Sequence, residues 1–119
     1  MVTIPQHGPK QALFDMNTFA GDIAQFFQID RWRIRVEECC GENAADIELC
    51  SQDGWLLSNE DFWALYRSIH QTIDGRFIAY QQGVQQCRLD AVDSSFWEIR
   101  ATPEFEQHMQ SRYGTYPAE

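Results

Sequence analysis

The sequence predicts a single α+β domain: an antiparallel sheet of four to six strands in two hairpins, with about three helices packed on it. Two observations predict this class. Stretches of strict apolar–polar alternation occur in pairs separated by short turns, and amphipathic helical periodicity interrupts and follows these pairs. At 119 residues and 44% hydrophobic content, the chain suits one globular domain, which we place at residues 15–119.

The N-terminal part is predicted to be a lead-in followed by the first helix. Residues 1–14 contain prolines and little periodicity, so we expect a loose or extended segment there. From Asp15 to Asp30 the spacing becomes helical, and either Asp15 or Asn17 could cap the start of this helix. Its apolar face consists of Phe19, Ile23, Phe26 and Phe27.

Residues 31–37 and 46–51 are predicted to pair as the first hairpin, which turns at Gly41 and Glu42. Both stretches alternate between apolar and charged residues, which is typical of half-buried strands. The apolar and the charged patterns agree on one register, and an opposite-charge pair across strands contributes about 0.2–1 kcal/mol. In this register Ile34 lies opposite Leu49, Val36 opposite Ile47, and Arg35 opposite Glu48.

The next segment, residues 54–75, is rich in aromatic residues and is predicted to be mainly a helix. Residues 55–57 form a short strand or lead-in, and Ser58 has the character of a helix N-cap. Asp74 and Gly75 are typical of the turn that ends a helix. The buried face of this helix would consist of Phe62, Leu65, Tyr66, Ile69 and Ile73.

The C-terminal part is predicted to contain a hairpin, a strand and a helix. Residues 76–82 and 85–92 flank Gly83 as a second hairpin, and residues 94–101 alternate as a further strand. A helix over residues 102–114 begins with threonine and proline and ends at a glycine. The residues that we expect to be buried together are Trp32, Ile34, Val36, Ile47, Leu49, Phe62, Leu65, Ile69 and Met109.

The charge distribution favours one kind of partner. The formal net charge is −9, and no lysine or arginine occurs between Arg35 and Arg67. This balance disfavours binding to nucleic acid and to an anionic membrane surface, because both require clustered basic residues. It favours a partner protein with a basic surface, since an acidic field steers such a partner. The acidic residues proposed to bind it are Glu38, Glu42, Asp46, Glu48, Asp53 and Glu60. The alternative is a surface that serves solubility alone.

A second stripe lies on the predicted 59–73 helix. Trp63, Arg67 and His70 follow helical spacing beside the buried face. If Trp63 is exposed, the stripe would anchor a partner, because tryptophan and arginine are enriched at binding hot spots. The alternative is that Trp63 packs at the edge of the sheet with Arg67 over its ring. His70 with Asp74 four residues on is a weak pattern for a catalytic dyad.

The sequence contains little else that indicates chemistry. Phosphate-binding loops and the common hydrolase and metalloprotease motifs are absent, and the histidines and cysteines lack the spacing of a zinc site. We therefore predict no catalytic residue, no cofactor and no metal. The four cysteines are expected to be reduced thiols, and with no signal peptide or membrane-spanning run we expect a cytoplasmic protein.

The function predicted from these observations is binding of another protein by a small acidic module without catalytic activity. Three roles fit: inhibition of the kind performed by immunity proteins and antitoxins, chaperoning, and an adaptor role. Self-association into a homodimer is left open. The alternative is a small enzyme or small-molecule-binding domain, with a pocket between sheet and helices and with Arg67 and His70 near its mouth.

Overall fold

The structure, a computed structural model, describes residues 1–118 as six strands, four helices and one short 3₁₀ turn. In chain order these are β1 (Val2–Pro5), the 3₁₀ turn (Pro9–Gln11), α1 (Met16–Phe26), β2 (Arg31–Gly41), α2 (Ala44–Cys50), β3 (Trp55–Ser58), α3 (Asn59–Tyr66), β4 (Ile69–Gln81), β5 (Val84–Val92), β6 (Phe96–Arg100) and α4 (Pro103–Tyr113). All six strands form one antiparallel sheet in the order β1-β6-β5-β4-β2-β3. The predicted α+β class is confirmed, with one helix more than expected.

Helices α1, α3 and α4 cover one face of the sheet and leave the other face open. The inward side chains of the strands and the facing side chains of the helices form one buried cluster that is rich in aromatic residues. The ring of Phe62 stacks on Trp32 with 4.7 Å between centroids, and Phe19 meets Trp97 edge-on at 5.3 Å. The layer between sheet and helices is therefore filled by interlocking rings.

Several predicted elements form for the local reasons that the sequence indicates. The carboxylate of Asp15 caps α1, and Thr18 completes the capping box by accepting the backbone N–H of Asp15 at 3.0 Å. The hydroxyl of Thr102 caps α4 by accepting the Phe105 N–H at 3.3 Å. The hairpin between β4 and β5 turns at Gln82 and Gly83, which both have positive φ, as a two-residue turn of this kind requires. The second hairpin, the strand β6 and the C-terminal helix are thus confirmed.

Two buried carboxylates join the helices to the rest of the fold. Asp15 accepts hydrogen bonds from the Met16 backbone N–H (2.7 Å) and from the backbone and hydroxyl of Thr72 in β4. Burial raises the pKa of Asp15 above its usual value, although these hydrogen bonds act in the opposite direction. The Asp15 carboxylate therefore fixes the start of α1 to β4.

The second buried carboxylate, Asp22, joins α1 to α4. One oxygen lies 2.7 Å from the imidazole of His108, and the other accepts the hydroxyl of Tyr113 at 2.5 Å. The guanidinium of Arg112 lies 3.7 Å away. Burial raises the pKa of Tyr113, and so does the hydrogen bond that its hydroxyl donates to the Asp22 carboxylate. The pairing holds the two helices in register.

The predicted hairpin between residues 31–37 and 46–51 is wrong. Most of residues 46–51 belong to α2, and β2 pairs instead with β3 and β4, so that Arg35 lies opposite Arg76. Ile47 is buried as expected, but Leu49 is 66% exposed. A helix turns about 100° per residue, so residues two apart point to opposite sides rather than to one face. The other residues of the predicted core are buried, except Leu65, which is half-buried.

The predicted helix over residues 59–73 is too long. Ser58 does cap α3, since its hydroxyl accepts the Asp61 N–H at 3.1 Å, but α3 ends at Tyr66. The chain then enters β4 at Ile69, and Gly75 lies inside that strand opposite Val36 of β2 rather than at a helix end. The strand is irregular here, because the β2–β4 pairing shifts register three times between Val36 and Gly41.

Residues 1–14 are predicted to be a loose or extended segment. Part of this segment is extended, as a strand of the sheet. Residues 2–5 form β1, in which Val2 lies opposite Ile99 of β6. The outer edge of β1 is contacted in turn by the C-terminal segment, where Tyr116 and Thr3 exchange two hydrogen bonds. The N-terminal residues are therefore fixed at one edge of the sheet.

Candidate protein-binding surface

Helix α2 lies along the edge of β2 and is held there by side chains that bond to the strand's backbone. The hydroxyl of Ser51 accepts the Val36 N–H at 2.9 Å, and the carboxylate of Glu48 accepts the Cys39 N–H at 3.0 Å. Ile47 is the buried anchor. Because β3 pairs only with residues 31–34 of β2, these bonds satisfy the edge that β3 leaves uncovered.

The solvent side of α2 combines carboxylates with an exposed apolar side chain. Leu49 is 66% exposed, and Ala45 and Asp46 are exposed beside it. A groove of about 620 Å³ runs between α2 and β2. Its lining includes the apolar residues Val36, Ala45 and Leu49, the acidic residues Glu37, Glu48 and Asp53, and Arg35. We call this region, formed by α2 with Glu37, Glu38, Glu42 and Asp53, the acidic ridge.

The structure brings most of the predicted acidic residues together. Glu42, Asp46 and Asp53 are exposed around α2, Glu48 is half-buried on it, and Glu38 is exposed on the adjoining part of β2. Glu60 does not belong to this group. It lies in the first turn of α3, next to the start of β2, roughly 20 Å of strand away from the part that contacts α2.

Trp63 is part of the rim of the core. It is half-buried, and its ring packs edge-on against Trp32 (5.7 Å) and Phe62 (4.8 Å). Its indole N–H donates to the Asn59 side-chain oxygen at 3.0 Å, which also accepts the indole N–H of Trp32. These contacts favour the packing interpretation of Trp63 over a free anchor.

The predicted stripe of Trp63, Arg67 and His70 does not form, because α3 ends before it is complete. Arg67 follows the last turn of α3 and lines a depression of about 550 Å³ between α2 and α3. His70 is exposed in β4, and Asp74, four residues later in the same strand, is half-buried. Positions four apart in a strand are separated by about 13 Å, so the two residues cannot form a dyad.

The open face of the sheet is a second charged surface, of which the sequence indicated only the arginines of β2. Six of the eight arginines point outward from its strands: Arg31, Arg33, Arg35, Arg76, Arg88 and Arg100. We call these six residues the arginine face. The alternation of arginines in β2 was visible in the sequence, but the pairing of β2 with β4 and β5 had to be known before the other arginines could be placed beside it.

Ion pairs neutralise only part of the arginine face. The buried carboxylate of Asp90 accepts a hydrogen bond from the Nε of Arg76 at 3.1 Å and another from the Nε of Arg88 at 2.9 Å. Within residues 1–118, the guanidinium groups of Arg31, Arg33 and Arg35 have no carboxylate within 4.0 Å. A protein with twice as many acidic as basic residues thus keeps a row of three unpaired arginines along one strand.

All four cysteines are free thiols, and burial makes two of them poorly reactive. Burial, with the nearby Glu48 carboxylate as a second cause, raises the pKa of Cys39 to about 12. Burial alone raises the pKa of Cys87 to about 12. Cys50, at the end of α2, is exposed. The exposed thiol therefore belongs to the acidic ridge.

In residues 1–118 no three His, Cys, Asp or Glu side chains are grouped closely enough to bind a metal ion. Nor does that part of the chain contain a helix with the length and apolar character needed to cross a membrane. Comparison with protein-family models, with curated proteins and with solved structures finds no match. The fold and the surface thus define the protein as an α+β domain with an acidic ridge beside an open, arginine-rich sheet.

Proposed function

We propose that the protein is a cytoplasmic protein-binding module without catalytic activity, which recognises a basic surface of a partner through the acidic ridge. Inhibition of a basic toxin, chaperoning and an adaptor role are the three forms that this function can take. The free thiols support a reducing compartment, in which cysteines remain unpaired.

The observation that carries this proposal is the exposure of Leu49 among carboxylates. A leucine that is 66% exposed on a helix otherwise anchored by Ile47 contributes little to the fold. Interfaces typically contain apolar residues in the centre and charged residues at the rim, and the acidic ridge has this arrangement. Covering the exposed part of Leu49 would contribute about 1–2 kcal/mol, or roughly tenfold in affinity.

The carboxylates around Leu49 would act mainly on the rate and the choice of partner. Exposed charges contribute less than about 1 kcal/mol each to stability, but across an interface they steer association and repel partners of the same sign. A partner segment with lysines or arginines around an apolar side chain would match both features of the ridge. This complementarity is the reason for proposing a basic partner.

The experiment begins by capturing a partner from the native host and then measures its affinity for three variants. Asp46→Arg with Asp53→Arg reverses charge in the ridge, and Leu49→Ser removes the apolar centre. Glu104→Arg is the matched control, because Glu104 is exposed in the first turn of α4 as Asp46 is in α2. Circular dichroism confirms that each variant is folded.

We expect the variant with Asp46→Arg and Asp53→Arg to bind the partner at least about tenfold more weakly at low salt. This loss of affinity should shrink near 1 M salt, because the screening length there is only about 3 Å. The loss caused by Leu49→Ser should persist at both salt concentrations, because an apolar contact is not screened. Equal affinities for all three variants would refute the ridge as the binding surface. Turnover of a small molecule without any protein partner would favour the enzyme alternative.

A further inference from the structure

We propose that one partner of the acidic ridge is the arginine face of a second copy of this chain, so that the protein forms a two-fold symmetric dimer. This inference rests on the proposed function, since it identifies a basic surface that the ridge can bind. The two surfaces have opposite charge, and both contain an exposed apolar side chain. The two surfaces therefore complement each other in charge, and their apolar side chains can pack together.

The arginine face has an apolar centre that fits Leu49. Arg33 in β2 lies opposite Leu56 of β3 on one side and opposite Ile78 of β4 on the other. Leu56 is 45% exposed, and Ile78 is half-buried on the open face. Arg33 itself lies between these two side chains, so a leucine that packs against either of them would bring the carboxylates beside it to the unpaired guanidinium groups of β2.

The positions of the two surfaces favour a closed dimer over an open chain of copies. The loop that follows α2 touches β2, where Gly54 lies against the Arg33 side chain. Asp53 and Arg33 line the same depression, so the acidic ridge and the arginine face adjoin on one side of the molecule. When two complementary patches are neighbours, one two-fold axis lets each copy's ridge contact the other copy's arginines.

The area needed for such a dimer is available. A stable interface of standard size buries about 800 Å² on each partner, which is about one eighth of the 6,729 Å² accessible surface of this chain. The open face of a six-stranded sheet together with one side of α2 provides a surface of this size. No helix of the same copy covers this face in residues 1–118.

A second copy is favoured over a nucleic acid as the occupant. Asp90 and Glu98 lie on the same open face as the arginines, and Glu37 lies beside Arg35. These carboxylates interrupt the positive charge of the face, so it offers separate arginines that single carboxylates of the ridge can match, and no continuous basic track for a phosphate backbone.

The test is a charge exchange between two variants, followed by sedimentation velocity. The face variant carries Arg31→Glu and Arg33→Glu, which break no ion pair of the fold. The ridge variant carries Asp46→Arg and Asp53→Arg. Lys10→Glu is the control, since Lys10 is exposed in the 3₁₀ turn, outside both surfaces. We expect the native chain to sediment with twice the 13.9 kDa mass of one chain, and each variant alone to be monomeric.

Mixing the face variant with the ridge variant should restore the dimer, because both halves of the mixed interface again join opposite charges. The control should remain dimeric. A native chain that stays monomeric at about 200 µM and low salt would overturn the dimer. So would a failure of the mixture to associate while its components remain folded. Binding of single-stranded dT12 by the native monomer, lost in the face variant, would overturn it in favour of nucleic acid. None of these results affects capture of a foreign basic protein by the ridge.

Discussion

Two substitutions in α2 test both the fold and the surface proposed to bind a partner. Ile47 and Leu49 are two residues apart, so a strand would place both side chains on the same face. In the helix they point about 160° apart, one into the core and the other into solvent. Ile47→Ala and Leu49→Ala should therefore have very different effects on the free energy of unfolding.

The magnitudes follow from the burial of each side chain. Ile47 is fully buried, and shortening such a residue to alanine typically costs about 2–5 kcal/mol, because both transfer energy and packing are lost. Leu49 is 66% exposed, so about a third of the roughly 1.5–3 kcal/mol of a buried leucine is at stake. The higher helix propensity of alanine offsets a few tenths of this. We expect a loss below about 1 kcal/mol for Leu49→Ala.

Urea denaturation followed by tryptophan fluorescence measures both values, with the slope of the transition compared to verify that the denatured states are alike. A ratio of at least about three between the two losses supports the helix. Losses above about 2 kcal/mol for both variants would refute it, because they would place Leu49 in the core, as a strand over residues 46–51 requires. Leu49→Ala should at the same time weaken partner binding.

Three further outcomes are expected. The pKa of Asp15 is higher in the folded than in the unfolded state, so its contribution to stability is largest at low pH and falls as the pH rises above about 4. Asp15→Asn should remove this pH dependence of the unfolding free energy, measured by urea titration. An unchanged dependence on pH would contradict the raised pKa. Asp22→Ala should cost about 3 kcal/mol, and a loss below about 1 kcal/mol would show the network to be unimportant. Ellman's reagent should modify Cys50 much faster than Cys39, whose pKa is about 12; equal rates would contradict the burial.

The parts of the fold that could be predicted are those where local signals and tertiary burial agree. The hairpin around Gly83 has alternation on both strands and a glycine where positive φ is needed. The C-terminal helix has a capping threonine, a proline at its first position and a buried face at helical spacing. In these segments each residue prefers the structure that the whole chain adopts, so sequence reasoning succeeds.

The segment of α2 could not be assigned from its pattern. Five residues that alternate in polarity are too few to distinguish a strand from little more than one helical turn. The contacts that hold α2 are made outside the segment itself, where Ser51 and Glu48 bond to the backbone of β2, and its polarity pattern does not indicate them. Residues 69–73 failed for a different reason. Ile69 and Ile73 match helical spacing, but their β-branched side chains favour a strand, and the pattern concealed this preference.

The candidate surface was predicted in part. The local excess of acidic residues was correctly placed around one region, because residues that are near in sequence stay near in space on α2 and its flanking loops. Glu60 lies elsewhere, since β3 carries the chain to the other end of β2. The arginine face depends on which strands are neighbours, and Arg88 and Arg33 come together only because β4 lies between their strands.

The pairing of β1 with β6 sets the order of events during synthesis. Val2 leaves the ribosome long before its partner Ile99 exists, so Ile4 has no sheet to enter while most of the chain is made. One edge of the sheet thus joins residues that are about 95 positions apart in the sequence, and such distant contacts make folding slow. The β1 edge of the sheet can therefore form only after residues 96–100 have been synthesised, and a truncation before residue 96 would leave β1 without its partner strand.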